Sequence, residues 1–324
     1  MTERRSRFAR SSLLALLVAL ALPACAGDPF GLFPKPRARY LLEAPPASPD
    51  LVGKLRFHKT RREDTLVDLA PALGVGYVEL MAANPGIDPW LPPEGTRLVV
   101  PEARLLPSGP REGIVVNLAE LRLYYFPKSG PARSYPIGIA KDGYATPLGV
   151  TTVKSKREKP TWIPGESARR DDPTLAARVP PGPDNPLGEY ALYLGWPTYL
   201  IHGTNDPRGV GRHSSRGCIR LYPDDIAELY GVIEPGTAVR VVNEPVKLGW
   251  IGGELYLEVN PDADQSLELD EAGKFASTRP PASLREQVKK AAGKQVREVD
   301  WPRVDVIGLH RYGIPSRVTR PGDS

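Results

Sequence analysis

Strand-like alternation of apolar and polar residues dominates the middle of the chain. Between residues 113 and 244 it occurs at 114–118, 121–126, 134–139, 149–154 and 190–194. Only residues 223–230 have a convincing helical pattern there, with Pro223 at the first position and two aspartates that complement the helix dipole. The pattern therefore predicts a mainly β domain with few helices.

Residues 156–185 interrupt this pattern. They are rich in proline, arginine and aspartate and have no clear periodicity, which predicts a long loop. Loops of this length inside a compact domain are usually functional. The segment is therefore a candidate functional loop.

A smaller unit at residues 51–102 contains both strand-like and helical patterns of apolar residues. Its predicted elements are a strand, two helices and a strand, at 54–58, 64–73, 77–84 and 95–101. Asp64 stands where it can cap the first helix. The order of elements predicts a small βααβ module with its own core.

The remaining segments lie at the two ends of the chain. Residues 246–310 form a predicted extension, with a strand at 254–259 and an amphipathic helix at 283–292. Residues 311–324 are polar and are predicted to be a disordered tail.

The first 27 residues have the pattern of an export signal. Four arginines precede an apolar segment of ten residues, which is too short to span a bilayer, and small residues follow it. Cleavage after Ala26 and cleavage before Cys25 both fit, and the second would leave a lipid anchor on Cys25. Residues 28–50 form a predicted proline-rich linker. The protein is therefore expected in the periplasm or cell envelope, with membrane contact only through that lipid.

Composition narrows the function classes. Proline accounts for 37 of 324 residues, about twice the usual share of about 5%, and it favours strands, turns and ordered loops. Removing the signal's four arginines and one glutamate lowers the formal net charge from +5 to +2, so nucleic acid is not an expected partner. The four histidines have no clustered cysteines or carboxylates around them, so neither a metal site nor another cofactor is predicted.

Cys218 is the strongest candidate for chemistry. The chain has two cysteines, and Cys25 lies in the export signal, so an exported chain has no obvious disulfide partner for Cys218. His202 stands sixteen residues upstream. Arg216 and Arg220 flank the cysteine, and their positive charge would favour a thiolate. The alternative is a small buried hydrophobic residue, which is what a free cysteine most often is.

Four motifs in order resemble the L,D-transpeptidases of the YkuD and ErfK type. They are Ala145 to Gly149, Asn185 to Gly188, Ile201 to Thr204 and Ser215 to Leu221. The resemblance implies a YkuD-like β-sandwich for the catalytic domain, residues 111–245. Many members have a histidine where this chain has Arg216, so the role of that side chain stays open between a source of positive potential and a hydrogen-bonding fork.

The resemblance also implies the chemistry of the site. Cys218 is the expected nucleophile, and His202 is the expected base that takes its proton. The Gly203 carbonyl is expected to orient His202, while the N–H groups of Gly217 and Cys218 are expected to hold the oxyanion. Arg220 is expected to bind a stem-peptide carboxylate. The residues assigned to the substrate side of the site are Arg220, Ser215, Arg216 and Gly203.

Three residues near the motifs are not expected to take part in the chemistry. His213 is expected to be a loop histidine in solvent. Trp196 and Tyr199 are expected to be core aromatics rather than walls of a substrate site.

The unit at 51–102 resembles the LysM module, which binds glycans that contain N-acetylglucosamine. The resemblance rests on three segments: Asp64 to Leu66, Met81 to Ile87 and Gly95 to Pro101. It implies peptidoglycan strands as a partner. A module with its own core also predicts that deletion of residues 51–101 leaves acylation of Cys218 nearly unchanged.

Three functions compete at this stage. The first is transpeptidation, in which a Cys thioester of a tetrapeptide stem passes to an amine of diaminopimelate or to a lysine of an attached outer-membrane protein. The second is hydrolysis by the same thioester chemistry. The third is a non-catalytic wall-binding lipoprotein, which the paired His202 and Cys218 disfavour.

Overall fold

The structure is a computed structural model, and it describes residues 45–276 and 279–320. The predicted export signal, the candidate lipid site Cys25, most of the predicted linker and the last four residues lie outside the described part. The described residues belong to a single compact unit. The predicted domain boundaries remain predictions.

The βααβ order of the N-terminal unit is present. Its elements are β1 (Leu51–Val52), β2 (Leu55–Lys59), α1 (Leu66–Leu73), α2 (Tyr77–Ala83), β3 (Arg97–Pro101) and β4 (Arg104–Leu105). The predicted cap is wrong by one residue, because the Thr65 hydroxyl accepts the hydrogen bond from the Asp68 N–H. Asp64 instead accepts from the Arg61 N–H at 2.8 Å and lies 3.0 Å from His58 Nε2. It therefore closes the turn before the helix.

The central region is mainly β, as predicted. Its elements are β5 (Gly113–Asn117), β6 (Arg122–Phe126), β7 (Arg133–Pro136), β8 (Ile139–Ala140), β9 (Gly149–Glu158), α3 (Glu166–Asp171), β10 (Tyr190–Leu194), β11 (Leu200–His202), β12 (His213–Ser215), β13 (Ile219–Arg220), α4 (Pro223–Val232) and β14 (Ala238–Val242). Eight strands form one sheet in the order β13-β11-β10-β9-β14-β5-β6-β7, and β8 pairs with β12 separately. The predicted strand at 134–139 divides in two. The prediction of a loop at 156–185 is wrong in two places. The first residues of this segment continue β9, and α3 lies within it.

The C-terminal region is more ordered than predicted. Its elements are β15 (Val246–Ile251), β16 (Glu254–Val259), α5 (Ala263–Ala272), α6 (Leu284–Ala292), α7 (Trp301–His310) and β17 (Ser316–Arg317). The prediction of disorder is wrong for residues 311–320, because β17 pairs with β16 and Arg311 is buried against Asp262 and Gln265. Hydrogen bonds thus hold this segment in place.

The N-terminal unit and the central sheet share one hydrophobic core. A single cluster of buried residues includes Leu66 and Leu80 from the unit and Ile114 from the sheet. The Val78 N–H donates to the Gly211 carbonyl at 3.1 Å, and a Cβ on Gly211 would lie 2.1 Å from Gly76 Cα. The prediction of an autonomous module is therefore wrong, since its inner face is a wall of the larger core.

Buried ion pairs cross the same boundaries. Glu79 on α2 lies within 2.7 Å of Arg122 on β6 and also pairs with Arg104. Lys247 on β15 is fully buried between Glu120 and Glu258, at 2.6 and 2.9 Å. Because a buried charge without a partner is costly, these pairs fix how the three parts meet.

The α-helices of the described residues are at most ten residues long. Within residues 45–276 and 279–320, no single helix is long and apolar enough to cross a membrane. The pair α1 and α2 reaches the length and composition only together, and it is bent by 109°.

Candidate active site

Two adjacent strands bring His202 and Cys218 to one place. His202 is the last residue of β11, and Cys218 immediately precedes β13. These strands are parallel, with His202 opposite Arg220. In this register Cys218 is level with Leu200, the first residue of β11 and two residues before His202, and the side chains of Cys218 and His202 line the same cavity.

The turn before Cys218 requires glycine at position 217. Gly217 has a φ of +119°, and a Cβ there would meet the Tyr199 ring at 2.9 Å. Its carbonyl accepts a hydrogen bond from the Thr146 hydroxyl at 2.9 Å, and the Tyr199 hydroxyl donates to the Ala145 carbonyl. The Ala145 to Gly149 motif therefore supports the turn that presents the cysteine.

Ser215 braces the same turn from inside. Its hydroxyl donates to the Cys218 carbonyl at 2.6 Å and accepts from the Gly217 N–H at 3.1 Å. Of the two N–H groups expected to hold the oxyanion, that of Gly217 already has a hydrogen-bond partner. The Cys218 N–H is therefore the remaining donor of that pair. Ser215 lies at the cavity wall, where its contacts are with the turn.

His202 is buried and held in one tautomer. Its Nδ1 donates to the Gly203 carbonyl at 2.6 Å, which leaves the lone pair on Nε2. Burial and the nearby Arg220 guanidinium lower the pKa of His202 to about 4, although the Gly203 and Leu187 carbonyls act in the opposite direction. The imidazole is therefore neutral near pH 7 and can accept a proton.

The Cys218 thiol is also neutral. Burial raises its pKa above the ordinary thiol value, while the Leu200 N–H and Arg220 only partly offset that effect. Its sulfur donates to the Thr198 carbonyl at 3.5 Å, and among the described residues it makes no hydrogen bond to His202. Arg220 therefore favours the thiolate, as predicted, but desolvation of the sulfur outweighs its charge.

We expect alkylation of Cys218 by iodoacetamide to rise with pH and to reach half its maximal rate above the ordinary thiol pKa. The reason is that only the thiolate reacts, and burial disfavours it. The rate measured between pH 6 and 11 by intact-protein mass checks this, with Cys218→Ala as the unlabelled control. A midpoint near neutral pH would contradict the conclusion that Cys218 and His202 are both neutral in the resting protein.

The cavity over these residues has a volume of about 350 Å³. Part of the predicted functional loop, residues 161–168, forms one of its walls. Asn185 fastens the base of this loop, because its side-chain amide donates to the Pro160 and Pro180 carbonyls and its Oδ1 accepts from the Leu187 N–H. The Asn185 to Gly188 motif thus shapes the cavity at a distance from the thiol.

Arg220 places an available positive charge in the cavity. Within the described residues no carboxylate forms an ion pair with its guanidinium, and its Nε is buried without a hydrogen-bond partner. Burial lowers its pKa, opposed by the nearby Cys218 and Asp206. An anionic group of a substrate would satisfy this cation.

Arg216 ties the loop to the catalytic turn. Its guanidinium pairs with Asp171, the last residue of α3, at 3.0 Å, and the Tyr144 hydroxyl donates to the same carboxylate at 2.7 Å. Tyr144, the Arg216 guanidinium and Lys141 together hold the pKa of Asp171 below its ordinary value. This geometry favours the hydrogen-bonding fork over a source of potential at the thiol.

We expect Arg216→Lys and Arg216→Gln to lower turnover of a stem peptide by about threefold to tenfold, because neither keeps the planar fork and the pair is partly exposed. Trypsin cleavage at Arg169 and Arg170 should quicken in both. Asp171→Asn should behave alike, and Asp172→Asn is the matched control. Normal turnover in the lysine variant would support a purely electrostatic role.

Several other side chains differ from expectation or were missed. His213 is not a solvent histidine: it is partly buried, and its ring nitrogens contact the Ala140 carbonyl and the Ser266 hydroxyl. Trp196 and Tyr199 are partly buried and pack against the core. Residues of the cavity that the motifs did not reveal are Trp162, Ile163, Tyr193, Thr198 and Leu200. Of these residues, only Trp162, an aromatic residue within a proline-rich stretch, offered a signal in the sequence.

These features define a mainly β protein in which a cysteine, a neutral histidine and an unpaired arginine share one covered cavity. Residues 111–241 match the family model described as the YkuD L,D-transpeptidase catalytic domain. The chain is 43% identical over 278 residues to the Escherichia coli protein named "Probable L,D-transpeptidase YcfS", covering 82% of this chain and 83% of the relative. The chain belongs to the L,D-transpeptidase family.

Further similarities extend across the chain or its catalytic part. The Salmonella typhimurium protein named "Probable L,D-transpeptidase ErfK/SrfK" is 39% identical over 289 residues, covering 86% of this chain and 91% of the relative. A crystal structure of Enterococcus faecium L,D-transpeptidase matches 41% of this chain and 50% of its own, at 25% identity and a TM-score of 0.33.

Proposed function

We propose that this chain is a peptidoglycan L,D-transpeptidase that works through a thioester on Cys218. The sulfur attacks the carbonyl of an L-centre in a tetrapeptide stem while His202 Nε2 takes the thiol proton. The peptide bond to the terminal D-alanine breaks, and His202 returns the proton to the leaving amine. An acceptor amine then attacks the thioester, forms a new amide and restores the thiol.

The observation that carries this proposal is the neutral, buried His202 with Nδ1 fixed by Gly203, in the cavity that also contains Cys218. A neutral imidazole is the form that accepts a proton at pH 7. A neutral thiol needs such a base, since it is a weak nucleophile unaided. The pair therefore suits concerted proton removal during attack rather than a preformed ion pair.

The remaining roles follow from contacts near the thiol. Arg220 binds a carboxylate of the stem, because it lacks an acidic partner among the described residues. The Cys218 N–H stabilises the oxyanion, a role worth roughly 3 kcal/mol for one donor. Gly217 and Ser215 position that N–H through the turn, and Arg216 positions the loop wall.

The acceptor and the location complete the proposal. The acceptor is an amine, either of a second diaminopimelate or of a lysine on an attached outer-membrane protein. The enzyme acts in the periplasm after export, held at the membrane if Cys25 carries lipid. The βααβ unit contributes to binding of the glycan strands.

The experiment is product analysis by mass spectrometry. The protein is incubated with disaccharide tetrapeptides, with and without a lysine-bearing peptide acceptor, beside a Cys218→Ala control. Loss of D-alanine coupled to a crosslinked dimer or a peptide adduct supports transpeptidation. Release of D-alanine with only free tripeptide would replace it by hydrolysis, and no change in the stem would overturn both.

A further inference from the structure

A second, larger cavity lies beside the active site. This groove has a volume of about 1060 Å³, and all three parts of the fold supply its walls. Trp90 comes from the βααβ unit, Asp142 and Tyr144 from the central region, and Glu271 from α5 of the C-terminal region. Its size is at the upper end of the range for sites that hold small molecules, which suits an elongated ligand.

The groove and the Cys218 cavity share a thin partition. Asp171 lines the groove, Arg216 lines the Cys218 cavity, and their ion pair of 3.0 Å separates the two spaces. A ligand with two connected parts can therefore occupy both. The proposed substrate has such parts, a sugar strand and the peptide stem attached to it.

Trp90 gives the groove an exposed, braced aromatic platform. Its side chain is 62% exposed although it is large and apolar. Asp88 accepts hydrogen bonds from the N–H groups of Trp90 and Leu91, at 2.8 and 3.1 Å, and so fixes the loop. An exposed indole on a fixed loop, beside hydrogen-bonding groups, suits a ligand with one flat apolar face and polar edges.

The walls of the groove combine paired charges with carboxylates that have no ionic partner among the described residues. Asp270 is paired with Arg212, and Asp171 with Arg216 and more distantly with Lys141 at 3.9 Å. The carboxylates of Asp88, Asp142 and Glu271 form no ion pair that the described residues supply. Their oxygens can accept hydrogen bonds from the hydroxyl and amide N–H groups of a neutral ligand.

We propose that this composite groove binds the glycan strand of peptidoglycan, with a sugar ring stacked on Trp90 and its polar groups bound by Asp142 and Glu271. The inference rests on the proposed function, because that function supplies the stem-bearing strand. It places glycan recognition across three parts of the fold rather than within the βααβ unit alone. The strand then runs past Asp171 and Arg216, and its stem enters the Cys218 cavity.

The test is the affinity of the exported chain for the tetrasaccharide of N-acetylglucosamine, measured by calorimetry. Trp90→Ala should raise Kd about tenfold, and Asp142→Ala and Glu271→Ala about threefold each. Leu91→Ala is the matched control, since Leu91 is 77% exposed in the same loop and does not line the groove. Turnover should show a higher KM for glycan-linked stems and an unchanged KM for the free tetrapeptide.

Each other outcome overturns the groove. An unchanged Kd in Trp90→Ala would show that the sugar does not bind in the groove. An effect confined to Trp90→Ala would mean that the βααβ unit alone binds the glycan. The groove would instead be a polypeptide site if the protein bound a lysine-rich peptide but not the sugar, and if Trp90→Ala, Asp142→Ala and Glu271→Ala abolished that binding. Labelling of Cys218 by a carbapenem, measured in parallel, is independent of these results, so failure of the proposed function is recognised separately.

Discussion

Replacing Cys218 by alanine is expected to remove all covalent labelling by a carbapenem, while the protein stays folded. The side chain is small and partly exposed, and its sulfur makes only a weak hydrogen bond to the Thr198 carbonyl. Alanine therefore deletes the nucleophile and leaves the turn intact. Intact-protein mass and a thermal melt of the same sample check both halves. Any adduct on the variant would move the nucleophile elsewhere.

The His202→Ala variant is expected to acylate about 10²-fold to 10⁴-fold more slowly at pH 7, because both groups of the resting pair are neutral. The His202 pKa of about 4 also sets the pH profile. The base is neutral above that value, so the acid limb of kcat/KM should fall near pH 4 rather than near 6.5. His58→Ala is the matched control outside the cavity. An acid limb near 6.5 would contradict the buried, neutral base.

A large effect on stability is expected in the Glu79→Gln variant. We expect it to lower the free energy of unfolding by about 3–5 kcal/mol, the usual cost of removing one partner from a buried ion pair. Glu79 is 8% exposed and pairs with Arg104 and Arg122, so the change leaves two buried guanidinium groups without their carboxylate. Urea unfolding followed by circular dichroism measures it.

The control for that variant is Glu63→Gln, an exposed glutamate of the same unit. It should change the free energy of unfolding by less than about 0.5 kcal/mol. If Glu79→Gln behaved like this control, the ion pairs would not hold the parts together.

The sequence predicted those features that depend on neighbours along the chain. The strands of the central sheet and the helix at Pro223–Val232 are such local patterns. The Gly203 carbonyl was also expected to orient His202, and the structure has that contact. The roles assigned to these residues remain proposals.

What the sequence could not predict depends on burial and on distant partners. Arg216 and Arg220 were visible as charges, but the desolvation that raises the Cys218 pKa was not. Asp171 meets Arg216 across 45 residues, through a helix in a segment without periodicity. The shared core was missed because the apolar face of α1 and α2 looks the same whether it covers its own unit or a neighbouring sheet.

The contact between Gly76 and Gly211 has a consequence for the order of folding. The first unit is synthesised well before residue 211, yet its inner face is completed by that segment and by the Tyr222 hydroxyl, which donates to the Val75 carbonyl at 2.9 Å. Contacts so far apart along the chain slow folding, because a long loop must close first. The unit made first therefore keeps its apolar side open until residues 211–222 have been added, and an exposed apolar surface of this kind is prone to aggregation.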